Sequence, residues 1–469
     1  MINKIKFLML IFLIVNFISK ECQGQSEQLK TFTLKEAKEY ALSNNIQVAN
    51  AKLDIKIAKE KIWETTAIGL PQISSELSYN QYLDIPTQLM PDFISPAVIG
   101  VNQGIFGLTP VVPIPEGDQF FEVQFGQKHN ASGGITASQL IFNGEYIVGL
   151  RAAKIYKSLS EQGLEKTEKS IIETVSQTYY LVLVAIENRN ILSKSLENIE
   201  KTLLETETMY NTGFIEETDL DQIKLTYTTI KNSLNSLNRQ VEISYNLLKF
   251  QMGLDLNEKI ELSDNIESLI KNSNSEFLSA NNFVLENNID YKLIETQEKL
   301  SLLSLRRQQA MFLPTISMFY SHQQNAMRNE FNFFNNNEKW FPTSIIGASM
   351  TIPIFGSGMK ISKIKQAKLD FIKSENNKKL VAESLKMEYT QAKYKYTDAL
   401  DNFLSEKTNL ELAEKIYSKN TIKYAEGAVS SLELTQIQNQ YLTTQSKYFQ
   451  SIYNLLNAKL TLDKILNNY

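Results

Sequence analysis

The chain has 469 residues, a formal net charge of −4 at pH 7, one cysteine and two histidines. Because this charge is small and neither half is strongly basic, we expect no nucleic-acid partner. His129 and His322 lie far apart in the sequence, and neither belongs to a cluster of His, Cys and carboxylate residues with metal-ligand spacing. The composition therefore argues against catalytic, cofactor and metal sites, and we expect that the protein is not an enzyme.

Residues 1–24 have the features of a secretory signal peptide, with two lysines followed by an apolar run from Phe7 to Ile18. We expect cleavage before Gln25, which would remove the only cysteine, Cys22. Lipidation of Cys22 is the alternative, and the charged residues just before it disfavour it. No run of 18 or more apolar residues follows this segment. A membrane-spanning part of the mature chain would therefore consist of strands.

The rest of the sequence contains one pattern twice. Asn44-Asn45-Ile46 and Leu70-Pro71 recur at an offset of 243 as Asn287-Asn288-Ile289 and Leu313-Pro314. Later landmarks recur at offsets of 213 or 214, and they are Gly134 with Gly347, Thr136 with Ser349, Ile141-Phe142 with Ile354-Phe355, Tyr210 with Tyr424, and Gly213 with Gly427. The smaller offset means that the first half has 30 extra residues between its Leu-Pro and Ile-Phe landmarks.

The duplication predicts two repeats with the same element order, namely helix, strand, long turn, strand, long helix, tight turn and long helix. We place the first repeat at residues 25–253 and the second at residues 277–469, after the expected signal peptide at 1–24. Residues 254–276 form the predicted linker between them, since Asp and Asn residues favour turns there. The fold class is therefore predicted to be α+β with an internal tandem repeat.

The first helix is predicted to span residues 34–68. Thr33 and Glu36 have the spacing of a capping box at its start. Pro71 ends the helical pattern, because proline disfavours helical geometry in the residue before it. By the same offset, the corresponding helix of the second repeat is predicted at residues 277–312.

The longest predicted helix spans residues 145–211, a stretch without proline. Its apolar residues follow the three-and-four spacing of a coiled-coil seam, and they are Ile172, Val175, Tyr179, Val182, Ile186, Leu192, Leu196, Ile199 and Leu203. The last helix has apolar residues at every seventh position, at Leu434, Tyr441, Tyr448, Leu455 and Leu462. A helix of this length measures about 100 Å, more than the diameter of a compact globule, so we expect the long helices to pack side by side.

The strand segments alternate apolar residues with small polar ones. One example is Ile346, Ala348, Met350 and Ile352 against Gly347, Ser349 and Thr351. In a soluble protein the apolar face would be core, and in an outer-membrane barrel it would face lipid. The aromatic residues near the strand ends fit a membrane interface or the packing of a soluble sheet, and they are Tyr79, Tyr82, Trp340 and Phe341. Four strands are too few to close a barrel, so transmembrane strands would require an oligomer.

The long turn of the first repeat, residues 83–129, contains six of the ten prolines of the chain and is predicted to be a loop. Its counterpart at residues 324–340 is short and rich in asparagine. This difference accounts for the change in offset between the repeats. An exposed position at the protein surface is the expectation for such a loop.

These landmarks resemble those of the TolC family of outer-membrane efflux and secretion channels along the whole mature chain. The resemblance rests on Leu34-Lys35-Glu36-Ala37 and Asn44-Asn45, on the strand entries at Pro71 and Pro314, on Ile354-Phe355-Gly356, and on the Tyr-x-x-Gly turns at Tyr210 and Tyr424. It implies a homotrimer in which four strands per chain form a twelve-stranded outer-membrane barrel. It also implies that the long helices continue from this barrel as a coiled-coil barrel in the periplasm.

The resemblance assigns roles to the turns between the long helices. The tips would contact a periplasmic adaptor protein, and they comprise Thr212, Gly213, Phe214, Glu426, Gly427 and Ala428. Asp219 matches a residue that ties the helices in the closed state, with Tyr424 as its hydrogen-bonding partner. Glu433 and Gln436 fall where the family has an acidic constriction. Each acid is also explained as a solvated residue in the first turn of a helix, which the helix dipole favours.

The predicted function is therefore a passive exit duct for small molecules in a tripartite efflux pump, reached through an adaptor and an inner-membrane transporter. The same fold used for type I protein secretion is the first alternative. A secreted coiled-coil scaffold is the second, and location in the outer membrane distinguishes it from the other two.

Overall fold

The structure is a computed structural model that describes residues 29–91, 101, 104–107, 120–270 and 283–467. The signal peptide and Cys22 lie outside these residues. The chain divides into two compact units, and each contains segments of both repeats. The first unit comprises residues 1–58, 157–298 and 373–469, and the second comprises residues 59–156 and 299–372.

The helices that form the frame of the two repeats are α1 (Leu34–Asn44), α2 (Ile46–Ala67), α3 (Gly144–Asn211), α4 (Glu217–Met252), α5 (Ile289–Ala310), α6 (Met359–Ala425) and α7 (Ser431–Leu466). The strands are β1 (Lys30–Phe32), β2 (Gln72–Gln81), β3 (Thr87–Pro91), β4 (Phe120–Gln124), β5 (His129–Asn143), β6 (Ile260–Leu262), β7 (Thr315–Arg328) and β8 (Phe341–Thr351). This order confirms the predicted α+β fold with a duplicated pattern. None of the described helices combines the length and the apolar character needed to cross a membrane.

The first predicted helix, 34–68, is in fact two helices, because the chain bends at Asn45. The capping box of Thr33 and Glu36 starts α1 as predicted. At Asn45 the backbone is extended, with φ −67° and ψ 132°. Its Oδ1 accepts a hydrogen bond from the N–H of Gln47 at 2.8 Å, and its Nδ2 donates to the carbonyl of Gln251 at 2.8 Å. Asn45 therefore both caps α2 and joins it to the end of α4.

The corresponding prediction of a helix at 277–312 is also wrong at its start. Residues 277–282 lie outside the described chain, and Leu285–Asn287 form a single 3₁₀ turn. Asn288 has the same extended backbone as Asn45, and its Oδ1 accepts a hydrogen bond from the N–H of Asp290 at 2.9 Å. Helix α5 therefore begins at Ile289, after an asparagine cap that both repeats contain.

Residues 30–32 and the predicted linker form a small parallel sheet that the sequence analysis did not predict. Strand β1 pairs with β6, and Lys30 forms an ion pair with Glu258 at 2.6 Å. Oδ2 of Asp264 accepts hydrogen bonds from the N–H of Leu34 at 2.6 Å and from the hydroxyl of Tyr179 at 2.8 Å. The linker thus binds both the N-terminal segment and the long helix α3.

The core of the first unit is built on the seams predicted from heptad spacing. On α3, Val175, Tyr179 and Val182 are fully buried, and on α7 Leu455 and Leu462 are buried with them in one cluster. The flanking seam residues Ile172 and Ile186 are half-buried. The three-and-four spacing therefore identified the packed face of the long helices correctly.

A four-stranded antiparallel sheet occupies the second unit, in the order β2, β5, β7, β8. In the hairpin of the first repeat, Ser74 lies opposite Thr136. In the hairpin of the second repeat, Ser317 lies opposite Ser349. These residues correspond at the offsets of 243 and 213 read from the sequence. The two hairpins therefore have the same register, and β5 of the first repeat pairs with β7 of the second.

The two faces of this sheet differ in character, because side chains alternate along each strand. We call one the apolar face, which contains Ile73, Leu77, Ile135, Met318, Tyr320, Ile346 and Met350. The other is the polar face, which contains Ser74, Ser78, Ser132, Thr136, Ser317, Ser321 and Ser349, together with the apolar residues Leu140, Phe319, Met327, Phe341 and Ile345. Leu77 is 83% exposed and Ile346 is 77% exposed in the single chain, so the apolar face is not a core.

Hydrogen bonds between hydroxyl groups connect the strands along the polar face. Ser78 and Ser132 lie 2.6 Å apart, Thr136 and Ser321 3.0 Å apart, and Ser317 and Ser349 2.8 Å apart, measured between side-chain oxygens. Each pair joins residues that are directly opposite in the register. Such cross-strand pairs reinforce the pairing of antiparallel strands.

Both long turns contain strand residues that the sequence analysis did not predict. In the predicted loop 83–129, β3 pairs with β4 as a separate two-stranded sheet, and much of the segment between them lies outside the described residues. In the second repeat, β7 continues to Arg328, so the turn comprises residues 329–340 rather than 324–340. Alternation is weak in these segments, and the pairing of distant residues extends the strands.

Aromatic residues gather at the turn end of the sheet. Tyr79 packs edge-on against Phe331 and Phe333, with ring centroids 5.5 and 5.9 Å apart. The guanidinium of Arg328 lies over the rings of Phe333 and Trp340, 5.2 and 6.0 Å from their centroids. The turn of the second repeat is thereby held against the first hairpin.

Replacing Gly253 by alanine is expected to destabilise the first unit. Gly253 ends α4 with φ +76°, and an added Cβ would lie 2.7 Å from the carbonyl oxygen of Asn44. A non-glycine residue in this backbone region costs about 1–3 kcal/mol, and the close contact adds to it. Gly163, inside α3, has open space around it, so Gly163→Ala should stabilise by about 0.5–1 kcal/mol. Chemical unfolding of both variants measures the change in the free energy of unfolding. A Gly253→Ala chain as stable as the parent would contradict the expectation.

Candidate functional site

The candidate functional site is the pair of turns that join the long helices. In the first turn, Gly213 has φ +77° after the last residue of α3. Its N–H donates to the carbonyl of Tyr210 at 2.9 Å, and the N–H of Phe214 donates to the carbonyl of Met209 at 2.9 Å. These two bonds form a Schellman motif, which satisfies carbonyls at the end of a helix.

The second turn repeats the first. Gly427 has φ +74°, its N–H donates to the carbonyl of Tyr424 at 2.9 Å, and the N–H of Ala428 donates to the carbonyl of Lys423 at 2.8 Å. An added Cβ at either glycine would meet nothing within 4 Å. Glycine is therefore required by the positive φ and not by lack of space.

The predicted tip residues lie at the surface of the described chain. All six are exposed, and they are Thr212, Gly213, Phe214, Glu426, Gly427 and Ala428. Phe214 is 83% exposed, although it is a large apolar side chain. The two tips therefore present main-chain turns and one exposed aromatic ring.

The helices that leave the turns start differently. Ser430 caps α7, and its Oγ accepts a hydrogen bond from the N–H of Glu433 at 3.3 Å. Glu216 occupies the capping position of α4 and makes no side-chain capping bond. Glu217 and Asp219 place two acids in the first turn of α4, where the positive end of the helix dipole favours them.

Asp219 is tied to α7 by a hydrogen bond. The hydroxyl of Ser431 donates to Oδ1 of Asp219. Ser431 is buried, with 4% of its surface exposed, and Asp219 is half-buried. Since Asp219 belongs to the first repeat and Ser431 to the second, this bond joins the two repeats directly behind their tips.

The predicted bond between Asp219 and Tyr424 is not the one that this chain makes. The hydroxyl of Tyr424 is hydrogen-bonded to the hydroxyl of Thr206, 3.0 Å away, on α3. Burial raises the pKa of Tyr424, so its phenol stays protonated and is available as a donor. Tyr424 therefore joins α6 to α3, while Asp219 joins α4 to α7.

Sequence reasoning missed Ser431 and Thr206. A Ser or Thr hydroxyl can donate to a backbone carbonyl of its own helix. Whether it also bonds to another helix depends on which helix lies opposite. Only their positions in the sequence could have indicated these contacts, because each residue lies within two helical turns of a tip glycine. Neither residue type distinguishes them from the many other Ser and Thr residues of the long helices.

A small apolar cluster lies behind the tips and takes residues from all four long helices. Its buried members are Ile199, Ile223, Ile230, Tyr417, Tyr424, Leu434 and Tyr441. The rings of Tyr417 and Tyr441 are stacked, with centroids 5.3 Å apart and planes 4° apart. Thr226 and Thr435 form a further contact between α4 and α7, with hydroxyl oxygens 3.3 Å apart.

Glu433 and Gln436, predicted at a constriction, lie on α7 with exposed side chains in the single chain. They are three residues apart, so they share one face of the helix. The described residues contain no group of three or more His, Cys, Asp and Glu side chains that could hold a metal ion. The site therefore consists of hydrogen bonds between helices and an exposed carboxylate, Glu433, on α7.

Comparison with known proteins identifies the chain. The family model described as "Outer membrane efflux protein" matches residues 39–254 and 284–468. A search of curated proteins gives no match.

Solved structures share the fold at low sequence identity. The outer membrane channel CmeC of Campylobacter jejuni is 17% identical, with 93% of this chain and 85% of that chain covered and a TM-score of 0.69. The outer membrane protein VceC of Vibrio cholerae is 14% identical, with 92% and 95% covered and a TM-score of 0.66. The open state of the MtrE outer membrane channel of Neisseria gonorrhoeae is 15% identical, with 92% and 88% covered and a TM-score of 0.64. The family match covers both repeats, and the chain belongs to the outer membrane efflux protein family.

Proposed function

We propose that this family member works as a homotrimeric exit duct through which small molecules leave the periplasm, in a tripartite pump with a periplasmic adaptor and an inner-membrane transporter. The observation that carries the proposal is the open sheet with one apolar and one polar face. An exposed apolar face suits contact with lipid, and a face of hydroxyl groups suits a water-filled lumen.

The sheet also supports the oligomer. Among the described strands, β2 and β8 each have one neighbour, so each offers a free edge. Free strand edges are not tolerated in lipid, because their N–H and C=O groups have no water to bond with. Three copies would supply twelve strands, enough to surround an aqueous channel, whereas four strands cannot close.

The paired tips support contact with an adaptor. Two exposed turns per chain would give six in a trimer, all built on the same Schellman geometry at Gly213 and Gly427. The bond between Asp219 and Ser431 and the bond between Tyr424 and Thr206 lie directly behind them. We assign these two bonds to the closed state of the duct, with Glu433 and Gln436 facing its narrow end.

Cells that lack the chain are expected to retain a membrane-permeant fluorescent efflux substrate, and re-expression should restore its export. In the complemented cells, Phe214→Ser should reduce export while the protein still reaches the outer membrane, because the exposed ring is lost from the tip. Leu204→Ser is the matched control, since Leu204 is 67% exposed on α3 away from the turn.

Two outcomes would contradict the proposal. Dye export that does not depend on the chain would exclude the efflux role. Loss of one protein from the culture medium, together with unchanged dye export, would instead indicate protein secretion.

A further inference from the structure

We infer that β8 of one copy pairs antiparallel with β2 of a second copy in a defined register, with Ser349 opposite Ser78 of the partner subunit. We further infer that Ile354 and Phe355 form an apolar anchor at this junction. The inference rests on the proposed trimer and names the residues that would form its contact. It follows from the internal repeat, which already contains the same junction once within the chain.

The existing junction lies between the repeats. Strand β5 ends the sheet portion of the first repeat, β7 begins that of the second, and the two pair along their whole length. Thr136 lies opposite Ser321 there, and Phe142 lies opposite Ile316 after a bulge that follows Leu140. The end of a first repeat and the start of a second repeat therefore fit together in a known register.

The register can be transferred, because both hairpins have the same internal pairing. Ser74 with Thr136 and Ser317 with Ser349 are equivalent pairs at the sequence offsets. Strand β8 is thus the structural equivalent of β5, and β2 is the equivalent of β7. If a second copy continues the sheet, its β2 occupies beside β8 the place that β7 occupies beside β5.

Residue correspondence then gives the pairs. Thr136 corresponds to Ser349 and Ser321 to Ser78 at the two offsets, so Ser349 faces Ser78 of the partner subunit. Both serines lie on the polar face of the sheet. By the same step Met350 faces Leu77 of the partner subunit, and both lie on the apolar face. A slip by one residue would mix the two faces, which a two-faced sheet does not tolerate.

The residues after β8 support the same arrangement. Ile354 is 95% exposed and Phe355 is 89% exposed in the single chain. Their equivalents in the first repeat are Ile141 and Phe142, and Phe142 is half-buried opposite Ile316. The residue that corresponds to Ile316 at the start of β2 is Ile73, which is 74% exposed. Two exposed apolar surfaces, one at each free edge, are therefore brought together by the inferred register.

Paired cysteines test the register. The natural chain has a single cysteine, Cys22, so Ser349→Cys with Ser78→Cys adds two known thiols. Oxidation of outer membranes should give covalent dimers and trimers on non-reducing gels, and neither single variant should do so. Thr136→Cys with Ser321→Cys is the matched positive control, because this equivalent pair lies within one chain and should form an internal disulfide.

Shifted pairs make the test decisive. Ser349→Cys with Asn80→Cys and Ser349→Cys with Glu76→Cys move the partner by two residues on the same face. Stronger cross-linking of either shifted pair overturns the register. Absence of all three cross-links in a chain that lysine cross-linking shows to be trimeric overturns the β2–β8 contact and leaves the trimer intact. A monomer by lysine cross-linking overturns the proposed trimer itself.

The anchor has its own matched pair of variants. Phe355→Asp should abolish the oligomer that lysine cross-linking detects, because it places a charge in the inferred contact with Ile73 of the partner subunit. Phe334 is also 89% exposed but lies in the turn at residues 329–340, so Phe334→Asp should leave the oligomer unchanged. An intact oligomer with Phe355→Asp overturns the role of this residue.

Discussion

Replacing Asp219 by alanine is expected to raise the single-channel conductance of the protein several-fold and to lengthen its open times. The variant loses the bond that Ser431 donates to the carboxylate, one of the contacts that hold α4 to α7 behind the tips. A hydrogen bond to a charged group contributes about 1.5 kcal/mol, and three copies in a trimer would contribute about 4.5 kcal/mol together. A change of that size shifts an equilibrium between closed and open forms by about a thousandfold.

Two further variants separate the hydrogen bond from the charge. Ser431→Ala removes the donor and leaves the carboxylate, so it should reproduce the effect. Asp221→Ala removes an exposed carboxylate from the same turn of α4 and should leave the conductance unchanged. Recordings in planar bilayers measure all three. If Asp219→Ala conducts like the parent, Asp219 has no part in closing the duct.

Replacing Asp264 by alanine is expected to lower the free energy of unfolding of the first unit by about 2 kcal/mol, since two hydrogen bonds to a charged acceptor are lost and only the Tyr179 hydroxyl has another acceptor nearby. Oδ2 of Asp264 accepts from Leu34 at 2.6 Å and from Tyr179 at 2.8 Å. Tyr179 is fully buried, and its hydroxyl also lies 3.0 Å from the carbonyl of Phe32. Burial and the bond to Asp264 raise the pKa of Tyr179, which keeps the phenol protonated as a donor.

The control for this variant lies on the same linker. Asp255 accepts a local hydrogen bond from the N–H of Asn257 at 2.8 Å and is exposed, so Asp255→Ala should change stability little. Denaturant titration followed by far-UV circular dichroism compares the two. Equal stability of Asp264→Ala and the parent would show that the linker does not hold the N-terminal segment to α3.

Features set by local chemistry could be predicted from the sequence. The capping box at Thr33, the glycines of the two tips and the buried heptad positions of α3 and α7 all depend on residues within one or two helical turns. The strand alternation was equally readable, since it has a period of two residues. These are the features on which the family resemblance rested, and the family match confirms it.

Features set by distant partners could not be read in this way. The break at Asn45 depends on a bond to Gln251, and strand β1 is recognisable only with its partner β6. The partner of Asp219 was assigned to Tyr424 through the resemblance, and the structure pairs it with Ser431. The type of an isolated residue predicts that a hydrogen bond forms, whereas the packing of the helices decides with which residue.

The two repeats also differ from each other in their helix caps and in the length of one segment. Ser430 caps α7, whereas Glu216 does not cap α4, and the long segment between β3 and β4 has no equivalent of the same length in the second repeat. A trimer of such chains would have two kinds of junction, one within each chain and one between chains. In the proposed register these two junctions have equivalent strand pairing in the sheet. At the tips the two repeats still differ, because α7 has a side-chain cap and α4 does not.

The most direct test of the account is reconstitution of the purified native protein into planar lipid bilayers. A duct formed by three copies should give discrete ion-conducting steps of uniform size, and the fully cross-linked Ser349→Cys, Ser78→Cys trimer should give them as well. Protein that inserts into the bilayer, as shown by protection from added protease, and yet gives no conducting steps in either form would contradict the account.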